Sequence, residues 1–228
     1  MARFSSRSIS KWSKRSFDIV VAAILLLVLA PVILVCAIAV LFGSGLPILF
    51  RQMRVGQHGH LFRIVKFRTM RSAPGADVTA AGDPRVTRVG RVLRRFKLDE
   101  LPQLWNVLIG EMSFVGPRPE LPGYVRLHHR IYGRILDLRP GVTDWASVAY
   151  LNEEELLLAH AREPRFYETV MLPRKLALAR LYRRRQSLWL DVRLIGATAC
   201  VIAGLHQLGS WVAGASVVHR ARDRVLGE

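Results

Sequence analysis

Acidic residues and cysteines are scarce in this chain of 228 residues. Asp and Glu number 17 against 34 Lys and Arg, so the formal net charge is +17. The only two cysteines, Cys36 and Cys200, lie in apolar stretches, which argues against a secreted disulfide framework. Because 51% of the residues are hydrophobic, charge-driven disorder is excluded as well. A chain both basic and apolar predicts an anionic surface and a lipid phase as partners, with nucleic acid as the alternative explanation of the charge.

Charge is absent from residues 19–42. As a helix this run would be about 36 Å long, enough to cross a bilayer. Pro31 lies in its middle, where it removes a helical hydrogen bond. Basic residues flank the run on both sides, so the positive-inside rule places both ends, including the regions of Ser5 and Gly75, in the cytoplasm. A re-entrant helix broken at Pro31 satisfies both conditions, and a kinked spanning helix remains the alternative.

Two strands are predicted next, over residues 47–53 and 61–68, with glycines in the turn between them. On the second strand the alternation of side chains places Lys66 and Arg68 on one face, where the two cations could meet an anion. A solvated edge strand protected by its charges is the alternative.

A basic amphipathic helix is predicted within residues 85–97. Its apolar residues at helical spacing are Val89, Val92, Leu93 and Phe96, and its opposite side carries Arg88, Arg91 and Arg95. Such a helix lies on anionic lipid or binds phosphates. Since Phe96 is the only aromatic residue in this stretch, stacking on nucleic-acid bases has little support.

Asp99 and Glu100 are the candidate catalytic residues. They follow six cations and open a second predicted helix, with Asp99 as its N-cap and Pro102 in its first turn. The plain interpretation is a capping aspartate and a glutamate that suits the helix dipole. The chemical interpretation is phosphoryl transfer, in which one carboxylate attacks phosphorus and the other binds Mg²⁺. The neighbouring cations are expected to favour the ionised form of Asp99.

Arg118 stands between Pro117 and Pro119. Two prolines fix the backbone on either side, so the guanidinium is presented rigidly and suits a bidentate phosphate contact. The alternative is a stiff turn with a solvated arginine.

Seven stretches, in this order and spacing, resemble the bacterial sugar transferases, which are monotopic phosphoglycosyl transferases that prime glycan assembly on undecaprenyl phosphate. The stretches are Phe17-Asp-Ile-Val, Phe50-Arg-Gln-Met-Arg-Val-Gly56, Lys66-Phe-Arg-Thr-Met70, Asp83-Pro-Arg-Val-Thr-Arg-Val-Gly90, Leu98-Asp-Glu-Leu-Pro-Gln-Leu-Trp-Asn106, Met112-Ser-Phe-Val-Gly-Pro-Arg-Pro119 and Arg139-Pro-Gly-Val-Thr143. The resemblance covers roughly residues 14–195, and the Asp-Glu-Leu-Pro-Gln and Gly-Pro-Arg-Pro motifs together are highly specific.

The resemblance implies an α/β, mainly helical fold: a small monotopic membrane domain with an N-terminal re-entrant helix-break-helix and interfacial amphipathic helices. We expect a basic segment with the re-entrant helix over residues 1–46, a catalytic domain over 47–195 and a helical tail, in part membrane-associated, over 196–228. For residues 194–218, which carry no Asp, Glu, Lys or Arg, an interfacial or core helix is favoured over a second spanning helix.

The activity implied by the resemblance is transfer of a phosphosugar from a UDP-sugar to undecaprenyl (polyprenyl) phosphate, releasing UMP, at the cytoplasmic face of the bacterial inner membrane. This step initiates assembly of exopolysaccharide, capsule, O-antigen or a glycoprotein glycan. Asp99 would be the nucleophile that forms a covalent phospho-aspartate, and Glu100 would bind Mg²⁺ or assist proton transfer. Lys66, Arg94 and Arg118 would bind the donor phosphates. No nucleic acid is expected as partner, and a homodimer is left open. The alternative function is a membrane-anchored nucleic-acid-binding or scaffold protein.

The chain departs from the family's pattern after Thr143, where many members continue to Asn-Gly-Arg. Leu151 occupies the arginine position here, so we expect an altered donor contact, with Arg126 or Arg139 as candidates to cover the phosphate.

Overall fold

The computed structural model describes residues 11–71, 79–150, 152–163 and 165–226. Its helices are α1 (Lys11–Val28), α2 (Ala30–Ser44), α3 (Arg88–Arg95), α4 (Gln103–Ile109), α5 (Pro122–Leu127), α6 (His129–Tyr132), α7 (Trp145–Ala149), α8 (Glu153–Ala159), α9 (Leu172–Arg185), α10 (Leu188–Ile202) and α11 (His206–Leu226). Its strands are β1 (Leu49–Val55), β2 (Leu61–Phe67), β3 (Ser113–Val115) and β4 (Gly141–Thr143). The described part of the chain is therefore mostly helical with small sheets, as the sequence predicts.

Helices α1 and α2 meet at the break predicted from Pro31. Leu29 separates them, Pro31 lies in the first turn of α2, and the two axes are bent by 63°. Proline suits a first turn because its missing N–H has no intrahelical partner there. Within the described ranges no single helix has the length and apolar character to cross a bilayer, whereas this bent pair has them when its two helices are taken together.

One face of α1 is bonded to the rest of the protein. Lys14 donates to Asp191 on α10 at 2.6 Å, and Arg15 donates to the last carbonyls of α4 at 2.7 and 2.8 Å. Asp18, which is almost fully buried, accepts the backbone N–H of Phe114 at 3.2 Å. The beginning of the apolar hairpin is thus fixed against the same elements that carry the site described below.

The two sheets have different topologies. Strands β1 and β2 are antiparallel, with a register from Leu49 opposite Phe67 to Val55 opposite Leu61. Strands β3 and β4 are parallel, so the segments that follow them leave the same edge of the sheet. Gly116 just beyond β3 allows this approach, since a Cβ there would come within 2.3 Å of a backbone carbonyl.

The main core joins α1, α4, α7, α9, α10 and α11 around β3. Leu194 and Ala197 on α10 and Val218 on α11 are fully buried in it, which supports the core-helix interpretation of residues 194–218. Both cysteines are free, with Cys36 buried and Cys200 half-buried.

Helix α3 packs against the protein through only part of its apolar side. Leu93 is buried, and Gly90 packs so closely that a Cβ there would lie 2.1 Å from the Thr69 carbonyl oxygen. Val92 and Phe96, however, are 55% and 46% exposed. The helix packs against the protein through Gly90 and Leu93, which leaves Val92 and Phe96 on its open apolar side.

Candidate active site

The Asp99–Glu100 pair lies in a tight turn and not at a helix N-cap. Lys97 adopts a left-handed conformation (φ 55°), Leu98–Glu100 form a 3₁₀ turn, and α4 begins only at Gln103. Glu100 and Leu101 donate their N–H groups three residues back, to the carbonyls of Lys97 and Leu98. The predicted N-cap role of Asp99 is therefore wrong, because Pro102 itself occupies the residue before α4.

Glu100 joins two cations from distant parts of the chain. Its Oε1 accepts from Lys66 Nζ on β2 at 2.7 Å and from Arg118 Nη2 beyond β3 at 2.9 Å. Burial alone would raise the pKa of Glu100, but Lys66 and Arg118 hold that pKa well below its ordinary value. Glu100 is therefore a permanent anion that holds both cations in place.

Asp99 has the opposite electrostatic situation. Its exposed fraction is only 8%, and its Oδ1 is buried without a hydrogen-bond partner among the described residues. Burial raises the pKa of Asp99, and the adjacent Glu100 raises it further, against the lowering effects of Lys66, Lys97 and Arg94. The neighbouring cations thus do favour the ionised form of Asp99, as expected, but burial and Glu100 outweigh them and the net shift of its pKa is upward. Unpaired buried oxygens are rare in folded proteins, and a catalytic role or a bound ion is one of the explanations for such an atom.

Arg118 is the most accessible member of the bridge. Its side chain is 37% exposed, against 20% for Lys66 and 12% for Glu100. The charge of Glu100 raises the pKa of Arg118, so the guanidinium remains charged while one edge faces outward. This geometry suits an anion that binds from solvent while the bridge stays intact.

Two further predicted cations have other partners. Arg94 donates through Nε to Glu154 on α8 at 3.1 Å and lies 3.3 Å from the sulfur of Met70. Arg68 does not face an anion beside Lys66, because it donates to the carbonyls of Ser44 and Gly45 at the end of α2. The structure thus brings Lys66, Glu100 and Arg118 together and places Arg94 in a separate ion pair.

Two buried residues, Asp144 and Lys175, and the half-buried Glu153 lie near Arg118 and were not predicted as part of the site. Asp144 follows β4, is 4% exposed, and accepts the backbone N–H of Ser147 at 2.7 Å. Burial raises the pKa of Asp144. Lys175 on α9 is buried and pairs with Glu153 on α8. The signal that could have revealed Lys175 is its position on the apolar face of a helix, between Leu172 and Leu176.

The structure describes only part of the altered segment after Thr143. Asp144 caps α7, but Leu151 lies outside the described residues, as do Ser5 and Gly75. Arg126 is exposed and Arg139 half-buried. Neither belongs to the bridge on Glu100.

Asp99 and Glu100 are the residues at which the sequence predicts Mg²⁺. Among the residues that the structure describes, no group of three or more His, Cys, Asp or Glu side chains could hold a metal ion. Mg²⁺, however, is often bound by one or two carboxylates together with substrate phosphates and water. Asp99 Oδ1, buried and unpartnered, fits that kind of site, with Glu100 beside it.

Comparison with known proteins gives a consistent family. The profile of the family described as bacterial sugar transferase matches residues 9–204. An undecaprenyl-phosphate glucose phosphotransferase of Komagataeibacter xylinus is 39% identical over 205 residues, 84% of this chain and 36% of the relative. A UDP-glucose:undecaprenyl-phosphate glucose-1-phosphate transferase of Caulobacter vibrioides is 42% identical over 189 residues, 80% of this chain and 66% of the relative.

A third relative carries a different sugar in its name. It is a UDP-N-acetylgalactosamine-undecaprenyl-phosphate N-acetylgalactosaminephosphotransferase of Aeromonas hydrophila, 38% identical over 198 residues, 81% of this chain and 42% of the relative. The matched part of the chain thus spans between 36% and 66% of the length of these three relatives.

Proposed function

The chain belongs to the bacterial sugar transferase family, and we propose that it transfers a phosphosugar from a UDP-sugar to undecaprenyl phosphate, with release of UMP. The observation that carries this proposal is the buried, unpartnered Oδ1 of Asp99 beside the Lys66–Glu100–Arg118 bridge. A carboxylate nucleophile and fixed cations are what displacement at a diphosphate requires. The relatives' names supply the donor and acceptor classes.

The chemistry takes place in two displacements. Asp99 attacks the phosphorus that carries the sugar, a new P–O bond forms to its carboxylate, and the bond to the UMP oxygen breaks. Lys66 and Arg118 stabilise negative charge on the phosphoryl oxygens during this step. The acceptor phosphate then attacks the same phosphorus, and Asp99 leaves as a free carboxylate. The covalent phospho-aspartate makes the kinetics ping-pong.

The negative charge of Glu100 compensates the two cations, so both can be held at the donor site before the donor binds. Because Glu100 Oε1 accepts from both Lys66 and Arg118, their positions are linked. Asp99 and Glu100 would hold Mg²⁺ together with donor phosphate oxygens, and the bound ion would neutralise part of the diphosphate charge. Arg94, paired with Glu154 at 2.5 Å, is proposed as a further phosphate ligand once the donor binds.

The proposed location is the cytoplasmic face of the bacterial inner membrane, with α1 and α2 as a re-entrant hairpin. The support is the apolar surface on these helices, including Leu27 and Phe42, whose exposed fractions are 78% and 85%. Large contiguous apolar surface is unusual on soluble proteins, and the acceptor is itself a lipid.

The re-entrant hairpin predicts that both of its ends are inaccessible from outside. Single cysteines replacing the exposed residues Trp12 and Lys97 in a Cys36→Ser/Cys200→Ser background should react with an impermeant thiol reagent only after the cells are permeabilised. Pro31→Leu restores a backbone N–H and favours a continuous helix, so it should make position 12 reactive from outside. Labelling of position 12 in intact cells with Pro31 present would refute the re-entrant arrangement.

The reaction itself is tested by UMP release. Detergent-solubilised protein, Mg²⁺ and undecaprenyl phosphate are incubated with a panel of UDP-sugars. We expect continuous UMP release with at least one donor. Without the acceptor, release should stop after the first turnover, and addition of EDTA should abolish it. A nucleic-acid-binding or scaffold protein would release no UMP with any donor.

A further inference from the structure

A second polar cluster packs against the segment that carries Arg118 and supplies no reacting group to the reaction proposed above. It consists of Arg54, Glu120, Tyr132 and Tyr167. Glu120 and Tyr132 are buried, with exposed fractions of 6% and 3%. Together with Arg118, both also line a small cavity between β1 and the 3₁₀ turn at Gly133–Asp137.

Glu120 is the centre of this cluster. Tyr167 donates its hydroxyl to Glu120 Oε1 at 2.8 Å, and Arg54 Nη1 lies 3.8 Å from Oε2. The backbone carbonyl of Glu120 accepts from Val55 N–H at 3.0 Å. A buried carboxylate needs such partners, since an uncompensated one costs several kcal/mol or is neutralised.

The same contacts fix the backbone next to Arg118. Arg54 donates to the carbonyl of Pro119 at 3.3 Å, and Gly141 N–H donates to the carbonyl of Pro117 at 2.9 Å. The residues on either side of Arg118 are therefore anchored to β1, to β4 and, through Glu120, to Tyr167. Burial and the charge of Glu120 raise the pKa of the Tyr167 hydroxyl well above its ordinary value, so it keeps its proton and remains a donor.

We propose that Tyr167 and Glu120 are positioning residues that set the Arg118 guanidinium for the donor diphosphate. The inference rests on the proposed function, in which Arg118 contacts the donor phosphates. A catalytic cation must be held within about 0.5 Å of its productive position, and a misplacement of about 1 Å caused by a remote change can cost about 10²-fold in rate. The hydroxyl of Tyr167 thus acts on the donor through Glu120 and Arg118, without touching the donor.

Tyr167→Phe is the decisive variant, because it removes one oxygen and keeps the ring. That ring contacts Lys175, whose Nζ lies 4.9 Å from its centre, and Tyr124, at 5.3 Å between ring centres. The affinity for UDP, the part common to every UDP-sugar, is measured by calorimetry with Mg²⁺ present. We expect Kd to rise about tenfold, equivalent to about 1.4 kcal/mol.

Coupling to Arg118 separates positioning from general packing. In an Arg118→Met background, Tyr167→Phe should change Kd less than about twofold, because the group it positions is gone. Tyr132→Phe is the matched control, since this buried hydroxyl of the same cluster has no hydrogen-bond partner among the described residues. We expect Tyr132→Phe to leave Kd unchanged.

Three results would overturn the inference: an unchanged Kd in Tyr167→Phe, an equal loss in Tyr132→Phe, or the full tenfold loss in the Arg118→Met background. UMP release by the wild-type protein is recorded separately. UDP binding with the expected coupling but no UMP release would refute the proposed reaction and leave the positioning intact.

Discussion

Replacing Asp99 by Asn is expected to reduce UMP release by several orders of magnitude, up to the roughly 10⁶-fold that removal of a covalent nucleophile can cost. Asn preserves the shape of the side chain but lacks the charge and the nucleophilic oxygen. Because Asp99 Oδ1 has no partner in the described structure, the substitution breaks no hydrogen bond at that atom. The melting temperature should therefore fall little, and burial of a neutral amide in place of a carboxylate could even raise it.

Two measurements check this expectation. With a UDP-sugar and no acceptor, the mass of the intact wild-type protein should increase by one phosphosugar, whereas the mass of Asp99→Asn should not change. The matched control is Asp137→Asn, which alters an exposed aspartate paired with Arg183 and should behave as wild type. Near-normal turnover by Asp99→Asn, with mass spectrometry excluding deamidation, would refute the assignment of Asp99 as nucleophile.

The parts of the fold that the sequence predicts are those governed by local rules. The break at Pro31 follows from a missing N–H, and the strands near residues 47–68 follow from alternation and turn glycines. The rigid presentation of Arg118 between its two flanking prolines stays a prediction. The structure shifts these elements by only a few residues, with β1 over Leu49–Val55 and β2 over Leu61–Phe67.

The predictions that were wrong or missing concern the partners that side chains find in distant parts of the sequence. Lys66 and Arg68 are two residues apart and were therefore predicted to share a face. Lys66 binds Glu100, whereas Arg68 donates to the carbonyls at the end of α2. That difference depends on where α2 ends relative to β2, which no local pattern specifies. The Lys175–Glu153 pair likewise joins α9 to α8, so its members read as unrelated residues in the sequence.

The direction in which the pKa of Asp99 shifts does not follow from the neighbouring charges alone. The sequence places six cations before it, and three cations do lower its pKa in the structure. Burial acts in the opposite direction and is the largest effect. Burial depends on the packing of the whole site, so its contribution becomes visible only when the turn at Leu98–Glu100 is placed against β2 and the Arg118 segment.

Substituting Glu100→Gln is expected to reduce UMP release on the order of 10²–10³-fold, the usual effect of removing one element of a preorganised electrostatic site. The bridge loses the anion that holds Lys66 and Arg118 together. Lys66 and Arg118, which are 20% and 37% exposed, then face each other without compensation, and because solvent screens part of their repulsion the loss of folding free energy should be on the order of 1 kcal/mol. Unlike Asp99→Asn, this variant should therefore lose both activity and stability.

A second substitution separates these two losses. In Glu100→Gln/Lys66→Met the repulsion between Lys66 and Arg118 is removed, so the melting temperature should recover most of the way to wild type. Activity should not recover, because the double variant still lacks both the anion and one phosphate-binding cation. If turnover returned together with stability, Glu100 would act only by stabilising the fold. If neither melting temperature nor turnover changed in Glu100→Gln, the bridge between β2 and the Arg118 segment would not be part of the active site.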